Sequence, residues 1–241
     1  MRPLPFLLCC LTVLLLPLAG NTAESRLQHV AAEGPQLVFT LADERRITLS
    51  HVWIAAPDAA ARYAQRWVGQ TLRPTGSKPD RYGRESAIVS AKGSTISLQE
   101  QLLAEGLALL YPTASLRPVK RWQQAERAAE KADRGWWQGP DCGGSCTHAD
   151  EVAVDTQPMQ LVSGRVTRTY KGRDAYYINF GADWKTDFSL MIPRRAWRSF
   201  GERLLVPDGA LIRARGKVIR DNGPMIVITR PEQMELRDGQ P

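Results

Sequence analysis

Residues 79–112 read PDRYGRESAIVSAKGSTISLQEQLLAEGLALLYP, and this stretch decides the fold. It opens on a turn. Gly83 permits the bend, Asp80 has a short carboxylate able to bond the local backbone, and an arginine flanks Tyr82 on either side. ESAIVSAKGSTIS (85–97) alternates like a strand pair, with Lys92-Gly93 at the turn of a hairpin. Ser97 and Glu100 have the spacing of a helix capping box, LQEQLLAEG (98–106) follows, and Gly106 supplies the stop. LALLY (107–111) then predicts a short strand.

Outward from this segment the pattern extends both ways. QLVFTLADERRITLSHVWIAA (36–56) alternates and is rich in Val, Ile, Phe and Thr, which predicts two strands around a turn at Ala42–Glu44. Pro57 opens the helix PDAAARYAQRWVGQ (57–70), with Ala60, Tyr63, Ala64, Trp67 and Val68 at helical spacing. Residues 73–79 form a Pro/Gly/Ser stretch. Downstream, RPVKRWQQAERAAEKADRG (117–135) predicts an amphipathic helix ending near Gly135, before Trp136-Trp137. Strands and helices mixed in this order indicate an α+β unit with a small barrel core over 24–140. A linker follows at 141–157. Residues 158–241 then give strands at LVSGRVTRTYKGRDAYYINFG, KTDFSLMIP, ALIRARGKVIR and PMIVITR, with a hairpin signal at Asp221-Asn222-Gly223. A helix, RRAWRSFGERL, precedes the last pair, and the arrangement suggests a second, mostly β, OB-like barrel.

The chain has 241 residues and a formal charge of +7. Residues 24–140 carry 16 basic and 12 acidic side chains, and 158–241 carry 15 and 9. Both lobes are thus mildly basic, which permits binding of an anionic polymer without demanding it. Residues 1–23 have an early arginine, an apolar run from Leu4 to Ala19 and then small polar residues, the pattern of a secretory signal peptide. The run is short for a membrane span, and no second one follows, so the expectation is an exported protein, periplasmic or secreted, with no transmembrane segment after cleavage. In an oxidising compartment Cys142 and Cys146 are expected to pair. His148 follows them, but three donors in one short loop are a weak metal signal, and no metal ligand is assigned.

The segment 80–140 resembles a staphylococcal-nuclease-like (thermonuclease) domain, in its turn, arginine, strand pair, Leu…Gly-Leu-Ala helix and closing Asp-Arg-Gly-Trp-Trp. The resemblance is looser over 28–79. Residues 158–241 resemble the OB-like extension of some exported members of that family, on YYINFGADWKTDFSLMI and NGPMIVITRPEQMEL. The resemblance implies an OB-type β-barrel with helices. It also implies hydrolysis of nucleic acid by two arginines, a water-activating glutamate and aspartate-bound Ca²⁺. A dianionic transition state needs such cations, and hard Ca²⁺ needs oxygen ligands. Arg84 matches the second arginine, and Asp58, after Pro57, stands where the glutamate is expected, one methylene shorter. Arg81, Tyr82 and Tyr111 match the basic and aromatic residues beside the substrate. The remaining positions depart from the pattern. Ser50 stands at the first arginine and Ala55 at a metal-binding aspartate; Arg46 lies four residues, roughly 13 Å of strand, from Ser50. Only Glu33 is acidic where the upstream metal motif should fall. The expectation is therefore a degenerate catalytic set that binds nucleic acid or another polyanion. No cofactor is expected, and Ca²⁺ only if the nuclease site is active. Two alternatives stand beside it: an active secreted phosphodiesterase using Arg84 and Asp58, and an envelope scaffold or protein-interaction protein. A further acid and a further cation facing Arg84 would speak against degeneration.

Overall fold

The computed structural model describes residues 23–76, 78–111, 119–138, 146–154 and 159–237. The expected signal peptide, up to residue 22, and Cys142 lie outside them. The chain is mixed α/β. Five strands close a barrel in the order β1-β2-β3-β6-β5. They are β1 (Ser25–Glu33), β2 (Gln36–Leu41), β3 (Arg46–Leu49), β5 (Thr71–Gly76) and β6 (Arg84–Ala91). Alternation along them sends Leu27, Val30, Leu37, Phe39, Leu41, Ile47, Leu72 and Val89 into one core. Helices α1 (Pro57–Ala64), α2 (Leu98–Ala104) and α3 (Val119–Lys131) add Ala60, Ala64, Leu98, Leu102, Leu103 and Trp122 to it. A separate ribbon pairs β4 (Val52–Ile54) with β7 (Ala108–Leu110).

Several sequence expectations hold here and others shift. Pro57 sits in the first turn of α1, and the Ser97 hydroxyl caps α2 by accepting the Glu100 N–H. The strand expected after Glu44 is two, because His51 adopts a positive φ of 63° and breaks it between β3 and β4. β1 and β5 were not read as strands. Pro74 is tolerated within β5 because β1 pairs only with Thr71 and Leu72, so no partner asks for the missing N–H. The expected hairpin at Lys92-Gly93 is a turn with an isolated Ser90–Ser97 bridge. β6 instead pairs in parallel with β3 and antiparallel with β5. Where β3 ends, the buried Gln99 amide takes its place, donating to Ala87 O (2.7 Å) and accepting from Val89 N–H (3.2 Å).

The second lobe holds two sheets over one core. One, in the order β10-β11-β12-β15-β14, uses β10 (Arg168–Lys171), β11 (Ala175–Asn179), β12 (Ser189–Pro193), β14 (Val218–Asp221) and β15 (Gly223–Val227). The other runs β16 (Met234–Arg237), β13 (Leu211–Gly216), β9 (Gln160–Arg165) and β8 (Thr147–His148). The four-residue helix α4 (Trp197–Phe200) lies between β12 and β13. Part of the expected linker is built into this lobe: β8 pairs in parallel with β9, and Ala149 is in the core. No helix among the described residues is long and apolar enough to cross a membrane.

The two lobes are joined by ion pairs laid against an apolar cluster. Leu109, Ala129 and Trp137 of the first lobe pack with Met159 and Leu161 of the second. The Arg215 guanidinium of β13 donates to both oxygens of Glu126 on α3 (2.7 and 2.9 Å) and to Leu110 O (2.8 Å). Glu126 also accepts the Leu110 N–H at 2.8 Å, and both charged side chains are buried. Beside them Arg213 forms a two-pronged bond to Glu130 (2.7 and 2.9 Å) and reaches Glu235 (2.9 Å), while Arg237 also pairs with Glu130.

Removing one member of a buried pair strands the other charge. Glu126→Ala should therefore lower stability by about 3–5 kcal/mol. The double variant Glu126→Ala/Arg215→Met should lose less, as read by urea unfolding. Burial pushes the Glu130 and Glu235 carboxyls up, but the surrounding arginines, Arg213 foremost for Glu130 and Arg215 for Glu235, outweigh it and hold both below the ordinary 4.5. A depressed folded-state pKa stabilises fully above the unfolded value. The lobe contact should thus keep its strength down to about pH 4.5 and weaken as pH falls further through the depressed values. Acid titration followed by tryptophan fluorescence would show this, with Arg213→Met flattening the curve.

Candidate functional site

The barrel rim carries the turn that opens β6. Asp80 organises it: one carboxylate oxygen accepts the N–H of Tyr82 (2.8 Å) and of Arg84 (2.9 Å), and the other accepts from the Arg84 guanidinium (3.2 and 3.1 Å). The Arg84 N–H is the main reason the Asp80 carboxyl titrates below its ordinary 3.8. Gly83 takes a positive φ of 72° that lets the chain bend back. Tyr82 is 58% exposed, and the guanidiniums of Arg81 and Arg84 approach its ring at 4.8 and 4.9 Å from the centroid. Arg81, Tyr82 and Arg84 therefore form one cationic–aromatic surface, while Tyr111 lies elsewhere, in the cleft.

Parallel pairing of β3 with β6 places Arg46 in register with Arg84. Neighbouring strands lie roughly 4.8 Å apart, and in-register residues share a face, so two guanidiniums rise from adjacent strands. Each has an acidic neighbour: Arg46 pairs with Glu33 at 2.6 Å and Arg84 with Asp80, while Gln36 accepts from Arg84 at 3.3 Å. A further cation and further carboxylates do stand at Arg84, the arrangement that speaks against simple degeneration. Arg46 is four residues from Ser50 along the chain, but its neighbour across the sheet was not readable from the sequence. Both acids are spent in ion pairs, and Asp80 is also held by backbone N–H groups, so neither is placed as a free base.

The same face continues along the strands as Thr48 and Ser50 on β3 and beyond it, and Ser86 on β6. With Gln36, His51, Trp53 and Tyr111 they line a cleft of about 250 Å³. Neither Arg84 nor Asp58 is among its lining residues. Asp58 lies exposed in the first turn of α1, and Arg84 takes its ion-pair partner from Asp80 instead. Tyr111 is half-buried; burial raises the pKa of its hydroxyl, which stays neutral. Burial first, and the Arg230 charge second, lower the His51 imidazole, so it is neutral at pH 7. Ala55 and Tyr111 pack against the apolar cluster that contains Met159 and Leu161 of the second lobe. A carboxylate at position 55 would meet that cluster. Among the described residues no three His, Cys, Asp or Glu side chains gather as a metal set. Ca²⁺ takes six to eight oxygens at about 2.3–2.6 Å, mostly from carboxylates, and the cleft's lining contains no Asp or Glu to supply them.

A closed five-stranded barrel with helices packed on it defines the fold class, a mixed α/β barrel of OB type. The family model described as Staphylococcal nuclease homologue matches residues 51–139. A staphylococcal-nuclease-like domain thus occupies the middle of the chain, and the match ends before the second lobe. It begins after Ser50, so Glu33, Gln36 and Arg46 lie outside it. No curated protein matches the chain.

Loss of the Asp80 carboxylate should free the turn. In Asp80→Ala, amide exchange at Tyr82 and Arg84 should speed up markedly while that at Val89 in mid-strand is unchanged. In the unaltered protein the turn should hold from pH 7 to about 3.8 and loosen as pH falls below that, since the folded-state pKa is depressed. Hydrogen exchange read by NMR checks both.

Proposed function

We propose that the protein binds single-stranded nucleic acid, or a similar anionic polymer, without hydrolysing it. The observation that carries this is the rim surface, where two guanidiniums flank the exposed Tyr82 ring beside a second arginine strand. Guanidiniums hold phosphates, and an exposed ring accepts a base face. Hydrolysis would further need a carboxylate free to activate water, and Asp80 and Glu33, the acids beside the two arginines, are each engaged in an ion pair. The nuclease-like domain at 51–139 supports the nucleic-acid part of this reading.

One observation favours a second reading, the phosphodiesterase. Arg46 stands in register with Arg84 and could serve as the other phosphate clamp, with Glu33 released to act on water. The two readings part in a direct assay. Export and the first-lobe bounds 24–140 belong to the proposal too, with an OB-like second lobe that takes in β8 and Ala149 ahead of residue 158. So does a Cys142–Cys146 bridge; Cys146 is disulfide-bonded.

Anisotropy with a labelled dT20 strand should give a log–log salt slope of about −2, as for three phosphate contacts on single strands. Arg81→Ala should make it shallower by about 0.7. Arg84→Ala should weaken binding, and the strand should remain whole in Ca²⁺. Cleavage abolished both by EDTA and by Arg84→Ala would establish the phosphodiesterase and end the binding-only reading.

A further inference from the structure

The five-stranded sheet of the second lobe carries a pocket of about 540 Å³, within the range of roughly 300–1,000 Å³ typical of small-ligand sites. Strand register builds it. Arg168 is paired with Asn179 and Tyr170 with Tyr177. These four side chains share the outer face, while Ile178 and Tyr176 between them enter the core. Tyr170 and Tyr177 lie at 25° with ring centroids 6.4 Å apart. Tyr170 is 62% exposed and Trp184, across the pocket, is 57% exposed. Alternation and packing turn Tyr176 and Phe180 away from this wall.

Trp184 sits on a loop built to hold it. Asp187 accepts the N–H of Asp183 (2.8 Å), and Asp183 in turn accepts that of Lys185 (3.0 Å). A Cβ at Gly181 would lie 2.0 Å from the Asp187 carboxylate, so only glycine allows this closure. Large apolar rings exposed on a rigid frame cost solvation and do nothing for the core. Their use is to meet something flat.

The polar lining says what. Asn179, Asn222, Thr167 and Ser189 offer amides and hydroxyls, which both donate and accept. The charged pair is one guanidinium, Arg168, and one carboxylate, Asp221, so the lining carries no net charge. A polyanion would be repelled by Asp221 and would gain one cation. A sugar ring, with C–H groups on its faces and hydroxyls around its edge, matches both the rings and the balanced polar set. We infer that this pocket is a saccharide-binding site that takes a short, uncharged oligosaccharide. It is independent of the rim surface on the barrel.

The test is calorimetry on the full chain with uncharged hexasaccharides built from glucose, mannose and N-acetylglucosamine, and with dT6. At least one hexasaccharide should bind, with an affinity that changes little between about 50 and 500 mM NaCl, since no net charge is screened. Trp184→Ala and Tyr170→Ala should each weaken it about tenfold or more. Both rings are more than half exposed, so both variants should fold, and thermal unfolding confirms that. The inference is overturned if no hexasaccharide binds, or if binding survives both substitutions. It is equally overturned if dT6 binds and Trp184→Ala abolishes that, which would assign the pocket to nucleic acid.

Discussion

Glu126 is a buried carboxylate on α3 that accepts from a strand amide of its own lobe and from an arginine of the other. Those bonds, to Leu110 N–H and to Arg215, tie the helix, the β4–β7 ribbon and the second lobe together at one point. Burying such a pair costs several kcal/mol per ion unless its geometry is good. Here the Arg215 guanidinium is also bonded to Leu110 O. Arg213, set between Glu130 and Glu235 and 5.0 Å above the Trp137 ring, repeats the arrangement one residue pair along the strand. Directional pairs of this kind fix orientation in a way that the neighbouring apolar cluster of Leu109, Trp137, Met159 and Leu161 alone would not.

The chemistry left to the barrel follows from that attachment. The cluster that seals the lobes is the one against which Ala55 and Tyr111 pack. Position 55 is thus apolar on one side, and an alanine suits it. The Asp80–Arg84 turn lies on the rim, where Tyr82 remains in solvent. The arginine turn rests on local geometry around Asp80, whereas Ala55 and Tyr111 face the cluster shared with the second lobe. Arg46 and Arg84, side by side, show that cations were not simply lost: their charge is balanced by Glu33 and Asp80, which a polyanion must displace or outcompete.

The two surfaces differ in kind. The rim is cationic with one exposed ring, suited to a charged polymer and sensitive to salt. The pocket on the second lobe is aromatic with a balanced polar lining, suited to a neutral ligand. A modest overall charge of +7 conceals this division.

Local chemistry was legible in the sequence because its causes are local. Pro57 begins α1, Ser97 caps α2, Asp221-Asn222-Gly223 turns β14 into β15, and Asp80 with Gly83 makes the turn before Arg84; each acts within a few residues through φ preference or a short-range hydrogen bond. What required the tertiary structure was every contact made across strands or lobes. The parallel β3–β6 register brings Arg46 to Arg84 from 38 residues away, and no periodicity encodes which strands become neighbours. β5, with its proline, reads as loop until an edge without a partner is seen to accept it. Arg213 and Arg215 read as surface charge on an alternating strand, and only the arrival of α3 makes them the buried bolts of the molecule. The sequence by itself determined the turns, caps and side-chain chemistry; the packing of one lobe on the other decided which of those side chains face water, and with that what the protein can bind.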